Sequence, residues 1–164
     1  MGIWEIISTI LYAFLLMSAV IYSWHKVSNK KMNFKSYKLY VVLVGMMMTS
    51  ILNFFIVNKF IRIILITTIL MFFYRFLFKE TIQKCVLTPI YSQILIFFAE
   101  LIYLILYMLV IGGQYDEKVL NNPIVMCIAN IIIAIILVIL TRRKFVIDIY
   151  NKLLSLTNKI STRL

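Results

Sequence analysis

Of 164 residues, 63% are hydrophobic and 14% charged, a balance that a water-soluble core cannot absorb and that several membrane spans can. The net charge of +11 is spread over connectors between apolar runs rather than gathered in a polar module, which argues against a nucleic-acid partner and for anionic lipid headgroups. Two distant cysteines and one histidine, with no C-x-x-C spacing, give neither a disulfide framework nor a metal centre, and no cofactor is expected.

The first apolar run, Trp4–Trp24, carries tryptophan at both ends, as aromatic belts mark the two membrane interfaces. It lacks the basic leader and small-residue cleavage site of a signal peptide, so it is expected to stay on the protein. The basic connector His25–Lys38 leads to a second span, Leu39–Val57. Within it Gly45, Thr49 and Asn53 fall on one helix face and predict close packing against another helix. After a short turn at Asn58 and Lys59, the third span covers Phe60–Phe78. Arg62 and Arg75 lie near its ends, where they can snorkel to headgroups. Thr67 and Thr68, at mid-depth, can return their hydroxyls to their own helix.

The fourth span, Cys85–Ile111, holds Glu100 near its middle. Insertion scales put an acidic side chain at that depth at roughly 2.5–3.5 kcal/mol, so it needs a partner, a wet cavity or a proton. Pro89 sits in the first turns, where its missing N–H costs least or where a kink would begin. Gln93 and Glu100 lie one heptad apart on a face that continues to Tyr103 and Tyr107, a polar seam expected to face protein. The acidic connector Gly112–Asn121 precedes the fifth span, Pro123–Thr141, in which Asn130 lies near mid-depth. Arg142, Arg143 and Lys144 end it. In the tail, Phe145, Ile149, Leu153, Leu156 and Ile160 recur at spacings of three and four among Lys152, Lys159 and Arg163. That pattern predicts an amphipathic helix for the membrane surface or a partner helix.

The expected fold is therefore all-α and integral to the membrane: a five-span bundle over residues 1–144 and a tail helix over 145–164. Fourteen of the 17 Lys and Arg residues fall on the side shared by the first connector, the third connector and the tail. The positive-inside rule makes that side cytoplasmic, with the N-terminus outside a cell membrane. Glu100, Asn53 and Asn130 then lie at overlapping depth, displaced from their span midpoints by up to roughly 8 Å. Amides can donate to a carboxylate or to a protonated carboxyl. Glu100, Gln93, Tyr103, Tyr107, Asn53 and Asn130 form the expected ligand-contact or packing seam. No nucleotide-binding, zincin or hydrolase motif occurs, and no second ionisable group shares the depth of Glu100, so no catalytic residue is assigned.

The order of short apolar spans with basic inner connectors, the segment Leu95–Ile105 with its glutamate, and the basic amphipathic stretch Tyr150–Ile160 together resemble the N-terminal membrane sensor region of GHKL-type sensor histidine kinases. That class includes the accessory gene regulator peptide-pheromone receptors. The resemblance implies a receptor for an extracellular peptide that passes its signal to a cytoplasmic output, with kinase activity only if a further C-terminal domain follows. His25 is not in an H-[DE]-x-x-N context and does not take the phospho-acceptor role. Expected partners are the bilayer, a second copy of the chain or another membrane protein, and a peptide ligand. The other readings are a small scaffold or accessory subunit of a membrane complex, and a transporter component.

Overall fold

The computed structural model describes residues 3–29, 37–52, 58–111 and 123–161; Asn53 and the connector Gly112–Asn121 lie outside them. Among the described residues there are six helices and no strand: α1 Ile3–Val27, α2 Tyr37–Leu52, α3 Lys59–Phe78, α4 Ile82–Ile111, α5 Pro123–Arg142 and α6 Lys144–Ser161. The all-helical expectation holds. Among the same residues one stretch, Ile82–Val110 of α4, is long and apolar enough to cross a membrane, with a mean hydropathy of 2.3. Ile63–Phe78 and Ile128–Arg142 are shorter apolar stretches.

Local chemistry sets the helix ends. Asn58 caps α3 by accepting the Ile61 N–H at 3.3 Å, satisfying one of the four donors a helix start leaves orphaned. Lys79 closes α3 in the left-handed conformation (φ 51°) while its N–H reaches the Arg75 carbonyl at 2.9 Å. Asn29 takes the same left-handed conformation after α1 (φ 50°), its N–H reaching the Lys26 carbonyl at 3.3 Å, and asparagine tolerates it better than lysine. Between α5 and α6 there is no loop. Arg143 breaks the helix for one residue, and its carbonyl accepts from Val146 at 3.1 Å to start α6. The hydroxyls of Thr67 and Thr68 donate to the Ile63 and Ile64 carbonyls at 2.7 and 2.8 Å, as their depth in an apolar helix predicts.

Successive helices pack side by side, and α5 returns to α1, so the first five close into a ring. Among the described residues the α1–α5 interface is the most extensive. α1 also meets α4 across the ring, and its buried positions (Leu16, Ala19, Val20, Ile21, Ser23, Trp24 and Val27) form one broad inward face. The substantial contacts of α2 are with α1 and α3. α6 crosses one end of the ring against α4 and α5, touching α1.

The outward faces are as apolar as the core. Ile63 and Phe72 on α3, Phe97 and Leu109 on α4, and Ile131 and Ile135 on α5 are all exposed. Contiguous apolar surface on this scale marks a membrane or an interaction surface.

Gly45 holds α2 against α3. A Cβ added there would collide with the tip of the Phe73 ring, with Cε1 at 2.8 Å. The sequence expected this face to pack, and at Gly45 it does. Gly45→Leu is expected to push α2 off α3 and cost about 1–3 kcal/mol, the usual range for overpacking. Thermal unfolding of purified Gly45→Leu and Gly45→Ala proteins, with leucine the worse of the two, checks it.

Candidate functional site

The densest polar arrangement lies where α6 meets the ring, at the C-terminal ends of α1 and α3 and the N-terminal half of α4. Thr88, Tyr91 and Ser92 follow one another at spacings of three and one on α4, so all three project from its inner side. Each is buried, and between them they reach α1 and α6. The Ser92 hydroxyl accepts the Trp24 indole N–H at 3.1 Å and donates to the Pro89 carbonyl at 2.8 Å. The Tyr91 hydroxyl donates to the Val146 carbonyl in the first turn of α6 at 2.7 Å. The Thr88 and Tyr150 hydroxyls share a hydrogen bond of 2.8 Å, either being able to donate. One turn and a half of α4 thus ties α1 and α6 to the same helix.

Aromatic packing completes the joint. The Trp24 and Tyr74 rings meet edge to face with centroids 5.5 Å apart, Tyr74 leans on Phe78 at 5.0 Å, and Tyr91 leans on Tyr150 at 5.5 Å. The Tyr74 hydroxyl is buried beside the Thr88 and Ser28 hydroxyls without completing a hydrogen bond to either. Trp24, Tyr74 and Tyr150 are among the largest fully buried side chains. Between α1 and α4 the packing around Ser23, Trp24, Val27, Thr88 and Ser92 is too tight to admit a water molecule. At the rim, Lys84 pairs with Glu80 at 3.3 Å, and the Arg142 Nε–H donates to the Tyr22 hydroxyl at 2.9 Å from over its ring. Cys85 is buried with a free thiol.

Tyr150 senses this environment. Burial pushes its hydroxyl up to about 12 from an ordinary value of 10.0; the Thr88 hydrogen bond works in the opposite direction, and the neighbouring Tyr74, Glu80 and Cys85 add to the rise. A group that holds its proton more tightly when docked lends stability that is fully present below the unfolded value of 10.0 and is lost as pH rises towards 12. Loss of hydrogen-exchange protection in α6 between pH 10 and 12, absent from Tyr150→Phe, is the expected result.

The expected seam is distributed differently. Tyr103 and Tyr107 are half-buried neighbours with ring centroids 6.1 Å apart, and the Tyr107 hydroxyl is buried without a hydrogen-bond partner. Gln93 and Asn130 are half-buried. Glu100 is exposed on the outer flank of α4 and makes no hydrogen bond or ion pair with a described residue. Asn53 lies outside the described residues.

The inner polar set is what sequence reasoning missed. Its signal was present: Thr88, Tyr91 and Ser92 form a polar face at helical spacing, about a third of a turn from the Gln93–Glu100 face. In the tail, Phe145, Ile149, Leu153 and Leu156 stand exposed, and the neighbouring stripe of Val146 and Tyr150, with half-buried Leu154, is the one that docks. An open apolar groove of about 570 Å³ runs along the first half of α3 between Ile61 and Ile69.

No protein-family model, curated protein or solved structure matches the chain.

Proposed function

We propose that the chain is a multi-spanning sensory domain of the cell membrane, with five spans formed by α1 to α5, the N-terminus outside and α6 on the cytoplasmic surface. An extracellular ligand, of the peptide class that the resemblance implies, shifts the packing of the outer half of the bundle, and α6 hands that shift to a cytoplasmic output in the manner of a two-component signalling protein. The apolar outward faces of α3, α4 and α5 support the membrane placement. The excess of Lys and Arg on the α6 side supports the orientation.

The observation that carries the sensory reading is the joint at Thr88. α4 is the longest helix, and it holds the amphipathic helix by two side-chain bonds in its first three turns. A rotation or sliding of α4 therefore moves Val146 and Tyr150 with it, a small rigid displacement of the kind that receptors pass between elements. The outer half of α4, from Glu100 to Val110, is largely exposed and leaves room for such movement. The groove on α3 opens towards the outer leaflet in the same orientation and offers an apolar site for a ligand side chain or acyl group.

The test uses the whole chain in lipid nanodiscs and the small-peptide fraction of spent medium from the source cells. The peptide fraction should change hydrogen exchange in α6 of the wild-type chain and leave α6 of the Thr88→Val/Tyr150→Phe double variant unmoved. Solute flux in liposomes without any response in α6 would turn the assignment to a transporter component. A stoichiometric membrane partner that co-purifies, again without a response, would turn it to a scaffold.

A further inference from the structure

We infer that the exposed apolar stripe of α6 is seated in the cytoplasmic leaflet, with anionic lipid headgroups held along its lysine edge. The inference deepens the membrane reading above and rests on it.

Residues 144–159 of α6 divide into three sectors about the helix axis. At about 100° per residue, Phe145, Leu156, Ile149 and Leu153 lie within one arc of about 80°. They are 59%, 48%, 48% and 37% exposed. Val146, Tyr150 and Leu154, with Ile147 and Thr157, fill the next arc and are buried or half-buried. The rest of the circumference is exposed and polar, with Asp148, Asn151 and Ser155 at its centre. Lys152 and Lys159 stand at the edge of that polar sector next to the stripe. Within residues 144–159 no exposed apolar side chain falls outside the stripe, so exposure and periodicity select one face.

The position of α6 identifies what covers that face. α6 follows α5 after a one-residue break at Arg143, so no linker carries it away from the end of the ring. Its two anchors on α4, Thr88 and Tyr91, lie inside the apolar stretch Ile82–Val110. The helix is therefore held at the depth where headgroups meet acyl chains. Its stripe, roughly a third of a turn round from the docked sector, looks past α4 and α5 rather than into them. A helix at this boundary buries its apolar face among acyl chains and leaves its polar face in water. The charge agrees. Residues 142–161 carry five Lys and Arg against one acid, Asp148. Arg143 and Lys144 open the helix at headgroup level, and the stems of Lys152 and Lys159 can lie beside the stripe while their ammonium groups reach phosphates. A zwitterionic headgroup offers its phosphate behind a cation of the same sign as these lysines, whereas an anionic one offers it alone. The leaflet thus holds α6 on one side and α4 holds it on another, so lipid charge sets how firmly the output helix stays in place.

The experiment uses the full chain with Cys85→Ser and Cys127→Ser, reconstituted in vesicles of phosphatidylcholine with or without phosphatidylglycerol. A bimane label is placed at Ile149→Cys in the stripe, at Ser155→Cys in the polar sector, or at Ile135→Cys on the outward face of α5. Lipids brominated on their acyl chains should quench the labels at 135 and 149, and iodide in the water should quench the label at 155. In anionic vesicles Lys152→Gln should shift the balance at 149 about fivefold from lipid towards water, the worth of one cation near such a surface. Removing phosphatidylglycerol should shift it further, and Lys152→Arg should leave it unchanged. Iodide quenching at 149 equal to that at 155 would overturn the seating. A label at 149 reached by neither quencher would overturn it in favour of a protein partner. Lipid quenching at 149 that ignores both phosphatidylglycerol and Lys152→Gln would overturn the anionic headgroups. Lipid quenching at 135 but not at 149 overturns this inference alone, whereas none at either position overturns the membrane reading with it.

Discussion

Trp24→Ala is expected to be the most damaging single substitution in the ring. The side chain is fully buried, donates to Ser92 on α4 and stacks edge to face on Tyr74 of α3. Truncating it opens a cavity at the meeting point of three helices, which costs about 3–5 kcal/mol in a tightly packed site. It also strands the Ser92 hydroxyl without its donor. Trp24→Phe keeps most of the volume and loses the indole N–H, so its cost should be nearer 1 kcal/mol, the net worth of one hydrogen bond. Unfolding of the two variants in the same detergent, followed by far-UV circular dichroism, checks the order. Equal stability of wild type and Trp24→Ala would mean that the α1–α4 contact is not formed as described.

Tyr150→Ala is expected to release α6 while leaving the ring folded. Tyr150 and Val146 are the buried residues through which the amphipathic helix docks, and Tyr150 fills the space against Tyr91 and Thr88. Its removal costs about 3–5 kcal/mol, most of which falls on the docking of α6. Proteolysis should then cut within residues 144–161 many times faster than in the wild type, with ring helicity unchanged. Tyr150→Phe and Thr88→Val each remove one partner of the shared hydrogen bond and strand the other, and the double variant removes both. A coupling energy of about 1 kcal/mol in that cycle is the expected value. Purely additive effects would show that the two hydroxyls do not act together.

The helices themselves were legible because basic and polar clusters bracket apolar runs of nearly fixed length. Those limits hold to within a few residues for α1, α3, α4 and α5. Rotation about the helix axis was another matter. Residues such as Ile90, Ile94 and Phe98 make α4 apolar on every side, so apolarity does not say which face turns inward. Glu100 drew attention by its charge, and the natural expectation was that a charge in lipid must turn towards protein within the chain. The chain instead turns Thr88, Ser92 and Ala99 inward, because small and hydroxyl-bearing side chains let α1 approach closely and close their hydrogen bonds locally. The tail shows the same effect. Phe145, Ile149, Leu153 and Leu156 form the more apolar stripe, yet the adjacent one docks because Tyr150 finds a hydroxyl on α4. A partner on another helix decided the face, and hydrophobic periodicity does not encode that partner.

The closure of the ring by α1 and α5 also bears on how the molecule comes into being. The contact between Tyr22 and Arg142 joins residues 120 positions apart, and the most extensive interface among the described residues belongs to these two helices. At about 5–20 residues per second of synthesis, α1 waits roughly 6–24 s for the helix it packs against most. During that interval the face that α1 turns to α5 lacks its final neighbour. The helix made first is thus among the last to reach its final neighbours, and a pause before α5 would leave the inward face of α1 uncovered.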